Sequence, residues 1–236
     1  MSSIRTNTSN SQRQLQMTLA LALIVPLSLG ISLAQHLRQG VSVQMARTTN
    51  ATAYPAADNA DAWIVAVTAD GRLYFGVKPV TPEQLLEKME ATPRLRDARL
   101  YIKADALSTF SSLRRALGPA RSAQFENAVL LTLQPESRSH AGLVPPQGIN
   151  VEIVPQKSGA IDVRISRQAE LSQLMVNGKT IAWSDLEGTL EHLVRGRDQV
   201  VQVEANDAVP FADVIRVLDE ACKTGAKLAV PSYHSL

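Results

Sequence analysis

The stretch VQVEANDAVPFADVIRVLDEACKTGA (Val201–Ala226) decides the fold. Its opening, with Gln199 and Val200 before it, reads as a strand. A polar turn follows, and Pro210 suits the first turn of a helix, where its missing N–H is not needed. Phe211, Val214, Ile215, Leu218 and Cys222 then fall on one helical face, with Asp213, Arg216, Asp219, Glu220 and Lys223 on the other. Gly225 fits the left-handed position just past a helix end. Asn206 or Asp207 is the expected helix cap. The stretch offers Asp207, Asp213, Asp219 and Cys222 as candidates for a reactive site. Cys222 lies on the apolar stripe, whereas a reactive thiol needs an exposed, electropositive setting. Asp213 and Asp219 read as solvated charges. The stretch is therefore expected to be scaffold.

The same pattern occurs earlier at a fixed offset of 101 residues. LYIKADALSTFSSLRRALGPA (100–120) lies over residues 201–221, with Ala104 meeting Ala205, Asp105 meeting Asn206, Phe110 meeting Phe211 and Leu117 meeting Leu218. LYFGVKPVTPEQLLEKM (73–89) lies over LMVNGKTIAWSDLEGTL (174–190), pairing Lys78 with Lys179, Leu85 with Leu186 and Met89 with Leu190. A pattern of apolar and turn positions that holds its register this long is the signature of a duplication.

Each copy reads in the same order. In the first, AWIVAVT (62–68) is a strand, Asp70-Gly71 a turn, and RLYFG (72–76) the returning strand. Thr81, Pro82 and Gln84 predict a capped helix start. ARLYIK (98–103) is a strand, Phe110, Leu113 and Leu117 mark a helix stopped by Gly118-Pro119, and AVLLTL (128–133) is the last strand. In the second, IDVRIS (161–166) is a strand, Asn177-Gly178 a tight turn, and Ser184 with Glu187 a capping box. Leu186, Leu190 and Leu193 give the next helix its apolar face, QVVQVEA (199–205) is a strand, and AKLAV (226–230) closes the copy.

Composition narrows the function classes. A net charge of +2 and 4% aromatics, without a basic cluster, exclude the electrostatic footprint of a nucleic-acid binder. The single Cys222 allows neither an intramolecular disulfide nor a cysteine-based metal site. His36, His140, His192 and His234 make no metal-ligand spacing. There is no Gly-rich phosphate loop and no nucleophile elbow. Trp63 and Trp183 read as core or sheet-face residues rather than a sugar platform, and Lys103 with Asp105 as a turn and cap. No catalytic, cofactor-binding or metal-binding residue is expected, and the chain is not expected to be an enzyme.

The first 57 residues contain no Asp or Glu, and Leu15–Gln35 carries no charge between Arg13 and Arg38. That gap matches the roughly 20 residues a helix needs to cross a bilayer. A retained anchor, a cleaved signal peptide with Ser32–Ala34 at its cleavage site, and a buried helix are the readings of this run. The anchor organises the chain as a cytoplasmic N-terminus (1–14), a transmembrane helix (15–37), a linker (38–60), a first lobe (61–134), a connector (135–148) and a second lobe (149–236). The expected fold class is α+β: an N-terminal transmembrane helix, then two tandem lobes, each a small sheet with two helices on one face.

This order resembles the ExbD/TolR family of biopolymer-transport proteins. The resemblance is carried by LMVNGKTIAWSDLEGTL (174–190) followed by VVQVEANDAVPFADVIRVLDEACKTGAKLAV (200–230), and in the first copy by the Asp70-Gly71 and Lys103–Asp105 turns. It implies a single-pass subunit of the bacterial inner membrane with a large periplasmic part. Such a subunit works with a multi-span ExbB/TolQ-like partner to drive biopolymer transport. It also implies self-association, and contact with peptidoglycan or an outer energy-transducing partner. Two departures stand out. Family members carry an Asp in the membrane helix for proton relay, and Leu15–Gln35 has no acid, so no residue carries over to that role. The usual member also has one periplasmic domain, where this chain has two copies. A reading from another class is an anchored or secreted periplasmic binding module with no transport role.

Overall fold

The computed structural model of the protein describes residues 41–93, 98–133, 145–155, 158–169, 171–196 and 198–232. A two-residue strand, β1 (Thr52–Ala53), and a 3-10 turn at Pro55–Asp58 come first. The first half then runs β2 (Trp63–Val67), β3 (Leu73–Phe75), β4 (Lys78–Val80), α1 (Pro82–Ala91), β5 (Leu100–Ala104), α2 (Phe110–Ser122) and β6 (Asn127–Thr132). Strand β7 (Gln147–Val154) follows. The second half runs β8 (Ile161–Gln168), β9 (Leu171–Val176), β10 (Lys179–Ile181), a 3-10 turn at Trp183–Asp185 leading into α3 (Leu186–Leu193), β11 (Val200–Ala205), α4 (Phe211–Lys223) and β12 (Lys227–Pro231).

Local chemistry accounts for most boundaries. Gly71 (φ 79°) turns β2 into β3, and Asn177 (φ 48°) with Gly178 (φ 78°) supplies the two left-handed residues of the β9–β10 turn. The α1 capping box forms: Thr81 Oγ1 accepts from Gln84 N at 3.2 Å, and Gln84 Oε1 from Thr81 N at 3.0 Å. The box expected from Ser184 and Glu187 does not form. Ser184 donates to Asp185 instead, Glu187 accepts from Lys223, and the chain enters α3 through the 3-10 turn. Nor does Gly118-Pro119 stop α2. Ala116, Leu117 and Ala120 are fully buried, and their packing carries the helix through a proline whose lost N–H costs one bond near the helix end.

Among the described residues the strands form one mixed sheet in the order β10-β9-β8-β11-β12-β7-β6-β5-β2-β3-β4, with β1 on β7. The order is a palindrome about β7. On each side three strands lie parallel (β2, β5, β6; β8, β11, β12), and an antiparallel pair completes the edge. β7 pairs antiparallel with β6 and parallel with β12, so the two halves run in opposite directions. This is the arrangement of a two-fold axis normal to the sheet. Ile149, Val151 and Ile153 of β7 are at most 1% exposed and belong to a core shared by both halves. Such burial contributes roughly 1.5–3 kcal/mol per side chain. Gly148 is required where β7 meets β6: a Cβ there would lie 2.6 Å from Val129 Cγ1 and 2.9 Å from the Leu130 carbonyl oxygen.

Two expectations are corrected. The lobes do not each hold a small sheet of their own. Strand β7, which falls across the boundary of the expected connector, hydrogen-bonds to both and fuses them. The transmembrane helix is not found either. Among the described residues no helix is long and apolar enough to cross a membrane. The longest, α2 and α4, have 13 residues and one polar face each, short of the roughly 20 apolar residues a span needs. Residues 15–37, on which that expectation fell, lie outside the described residues, as do 1–14 and 38–40.

Candidate functional site

The chemistry of the opening stretch is spent at the axis of the palindrome. Helices α2 and α4 begin there, and Thr109 and Pro210 form an antiparallel bridge. Neither helix has a side-chain cap. Instead each β-to-α loop caps the other helix. Phe110 N donates to Val209 O (2.8 Å) and Ser111 N to Asp207 O (3.3 Å); reciprocally, Phe211 N donates to Ser108 O (2.7 Å) and Ala212 N to Ala106 O (3.0 Å). Each bond maps onto its partner by the offset of 101. Two helix N-termini, both positive dipole ends, would repel across such a seam, and the crossed carbonyl oxygens supply the opposing charge and satisfy the orphan donors. Phe110, Phe211 and Val209 are fully buried beneath them. This is why neither Asn206 nor Asp207 caps α4: the position is filled by backbone from the other half. Asp207 is exposed and pairs with Arg114 of α2.

The residues before β1, read from sequence as linker, wind along the same seam. Lys103 Nζ donates to Val41 O at 3.2 Å, and Asp105 accepts from Gln44 N at 2.9 Å. Leu133 N donates to Ala46 O (2.9 Å), Thr48 N to Leu133 O (2.8 Å), and Thr48 and Thr132 share a buried hydroxyl bond of 2.7 Å. Asp219 of α4 then takes the strap: its carboxylate accepts from Thr49 N (2.9 Å), Thr49 Oγ1 (3.1 Å) and Asn50 N (2.9 Å). Asp219 is 8% exposed, so the expectation of a solvated charge is corrected. It sits on the margin of the helix's buried face, and the strap, invisible to helical periodicity, covers it.

The remaining candidates make the following contacts. Asp213 accepts from the Ser172 hydroxyl. Cys222 packs against the core, and burial, then the Asp219 charge, pushes its thiol up to about 11. Trp63 is buried between Phe75 and Phe125, ring centroids 5.6 and 5.7 Å away. Trp183 donates its indole N–H to Ser172 O, with Arg216 4.6 Å over its ring. His192 is exposed on α3; His36, His140 and His234 lie outside the described residues. Among the described residues no three His, Cys, Asp or Glu side chains are grouped to hold a metal. Sequence reading missed β7 as the seam strand. Its signal was present in the alternation Gly148-Ile149-Asn150-Val151-Glu152-Ile153.

Fold and seam define an α+β domain, two like-ordered halves joined about a central strand. A family model described as biopolymer transport protein ExbD/TolR matches residues 128–230, from β6 through β7 to β12. The chain is thus similar to that family over the second half and the seam strand, under half of its length. The family is one of transport components rather than enzymes. No curated protein and no solved structure matches the chain.

Proposed function

We propose that the protein is an ExbD/TolR-like component of an energy-transducing biopolymer-transport complex, not an enzyme, and that its first half is a diverged second copy of the family domain. The observation that carries the reading is the family match over residues 128–230. The palindromic sheet and the offset of 101 support the second copy. On this reading the self-association expected of the family is met inside one chain, which offers a partner two like-ordered but chemically different lobes. The partner is an ExbB/TolQ-like multi-span protein, and the place of work is the bacterial inner membrane with the folded part on the periplasmic side. The family match is what supports that localisation.

The test is a mild-detergent pull-down of the full-length protein from its native membrane, with the mass of the complex measured. Recovery of a multi-span ExbB/TolQ-like protein, with one copy of this chain where two single-domain subunits would stand, supports the reading. Recovery alone from the soluble fraction overturns it in favour of a secreted binding module.

A further inference from the structure

A cleft of about 910 Å³ opens at the end of the first half where β5 and β6 begin, and its lining includes Tyr54, Arg99, Arg121, Gln124, Asn127 and Asn150. We propose that this cleft binds an acidic peptide segment of a partner protein. Among the described residues two guanidinium groups line it against one carboxylate, Glu126. Among the described residues neither Arg99 nor Arg121 has an ion pair, although Arg99 is held over the Tyr54 ring at 5.7 Å. Tyr54 is itself fixed by its backbone bond to Pro146 O (2.7 Å) and its edge contact with Tyr101. The planar guanidinium fork matches a carboxylate in two-point geometry. The amides of Gln124, Asn127 and Asn150 each offer a donor and an acceptor, the complement of a peptide group. A phosphate would call for donors alone.

The palindrome supplies an internal control. The scaffold positions equivalent to Arg99, Arg121, Gln124 and Asn127 are Val200, Cys222, Gly225 and Lys227, so the fold does not demand this polar set. Gln124 is the telling case. It holds φ 64° just past α2, where the second half has Gly225 at φ 71°. A side chain resists that conformation and glycine does not. The first half keeps a glutamine in a glycine's place, on the lip of the cleft, and strain of this kind collects at binding sites.

The experiment is a fluorescence-anisotropy titration of full-length protein, at about 50 mM salt, with a labelled hexapeptide of alternating Asp and Glu. Its Asn/Gln counterpart serves as control, and inorganic phosphate as competitor. The acidic peptide should bind saturably and at least about tenfold more tightly than the neutral one. Arg99→Gln with Arg121→Gln should remove that difference at an unchanged thermal midpoint. Gln124→Gly should weaken binding in a fold it does not harm, and Lys227→Gln on the other half should change nothing. Equal binding of both peptides, parental affinity in the double variant, or absence of binding would overturn the proposal. Displacement by phosphate at concentrations equal to the peptide's would reduce the cleft to a simple anion site and overturn the peptide assignment.

Discussion

Asp219→Asn should loosen the strap without disturbing the sheet. The carboxylate accepts three hydrogen bonds, one oxygen from Thr49 N and Thr49 Oγ1, the other from Asn50 N. An asparagine keeps one of these oxygens and turns the other into an NH2 group, which then faces a backbone N–H, donor against donor. A hydrogen bond to a charged group contributes roughly 1.5–3 kcal/mol. Thr49 is exposed and its freed groups can find water, so the net loss should be about 2 kcal/mol. In a unit of this size that lowers the melting midpoint by about 4–8 °C. Asp213→Asn is the control. Among the described residues its side-chain partner is the Ser172 hydroxyl, which can rotate to serve either group, so the cost should be about 0.5 kcal/mol or less. Urea unfolding of the full-length chain measures both, with the midpoint moving at constant slope. Hydrogen exchange should quicken at residues 46–53 in the Asp219 variant and not in the other. If the two variants proved equally stable, the strap would not be held by this carboxylate and the account of the seam would be wrong.

Other perturbations test other parts of the argument. Gly148→Val should cost at least about 1–3 kcal/mol by overpacking, because the new side chain meets β6 backbone at Leu130 as well as Val129; urea unfolding reads it. Gln124→Gly should raise stability by about 1 kcal/mol by relieving the left-handed backbone, seen as a higher melting midpoint. Cys222 should be alkylated slowly at pH 8 and more readily only as the pH nears 11. Its folded pKa lies above its unfolded one, so the native state holds the proton more tightly. The associated stability is complete below the unfolded value, near 9, and is lost as pH rises through about 11; Cys222→Ala should flatten that part of the profile.

Much of this molecule was legible in its sequence because it is written in short-range signals. The Asp70-Gly71 and Asn177-Gly178 turns, the Thr81 capping box, the left-handed Gly225 and the buried stripe of Phe211, Val214, Ile215 and Leu218 depend on neighbours within a few residues. So does the repeated order of elements, which a fixed offset exposes. Tertiary structure decided how the halves combine. A strand's alternation says that one face is buried, and not which strand lies beside it, so local reading does not place β7, which begins in the last two residues of the expected connector, between β6 on one side and β12 on the other. Helical periodicity likewise placed Asp219 among the charged residues, because the strap that buries it comes from 170 positions away in the chain. The caps of α2 and α4 were beyond local reading for the same reason. Backbone carbonyls carry no side-chain identity, and the oxygens that cap each helix belong to the opposite half.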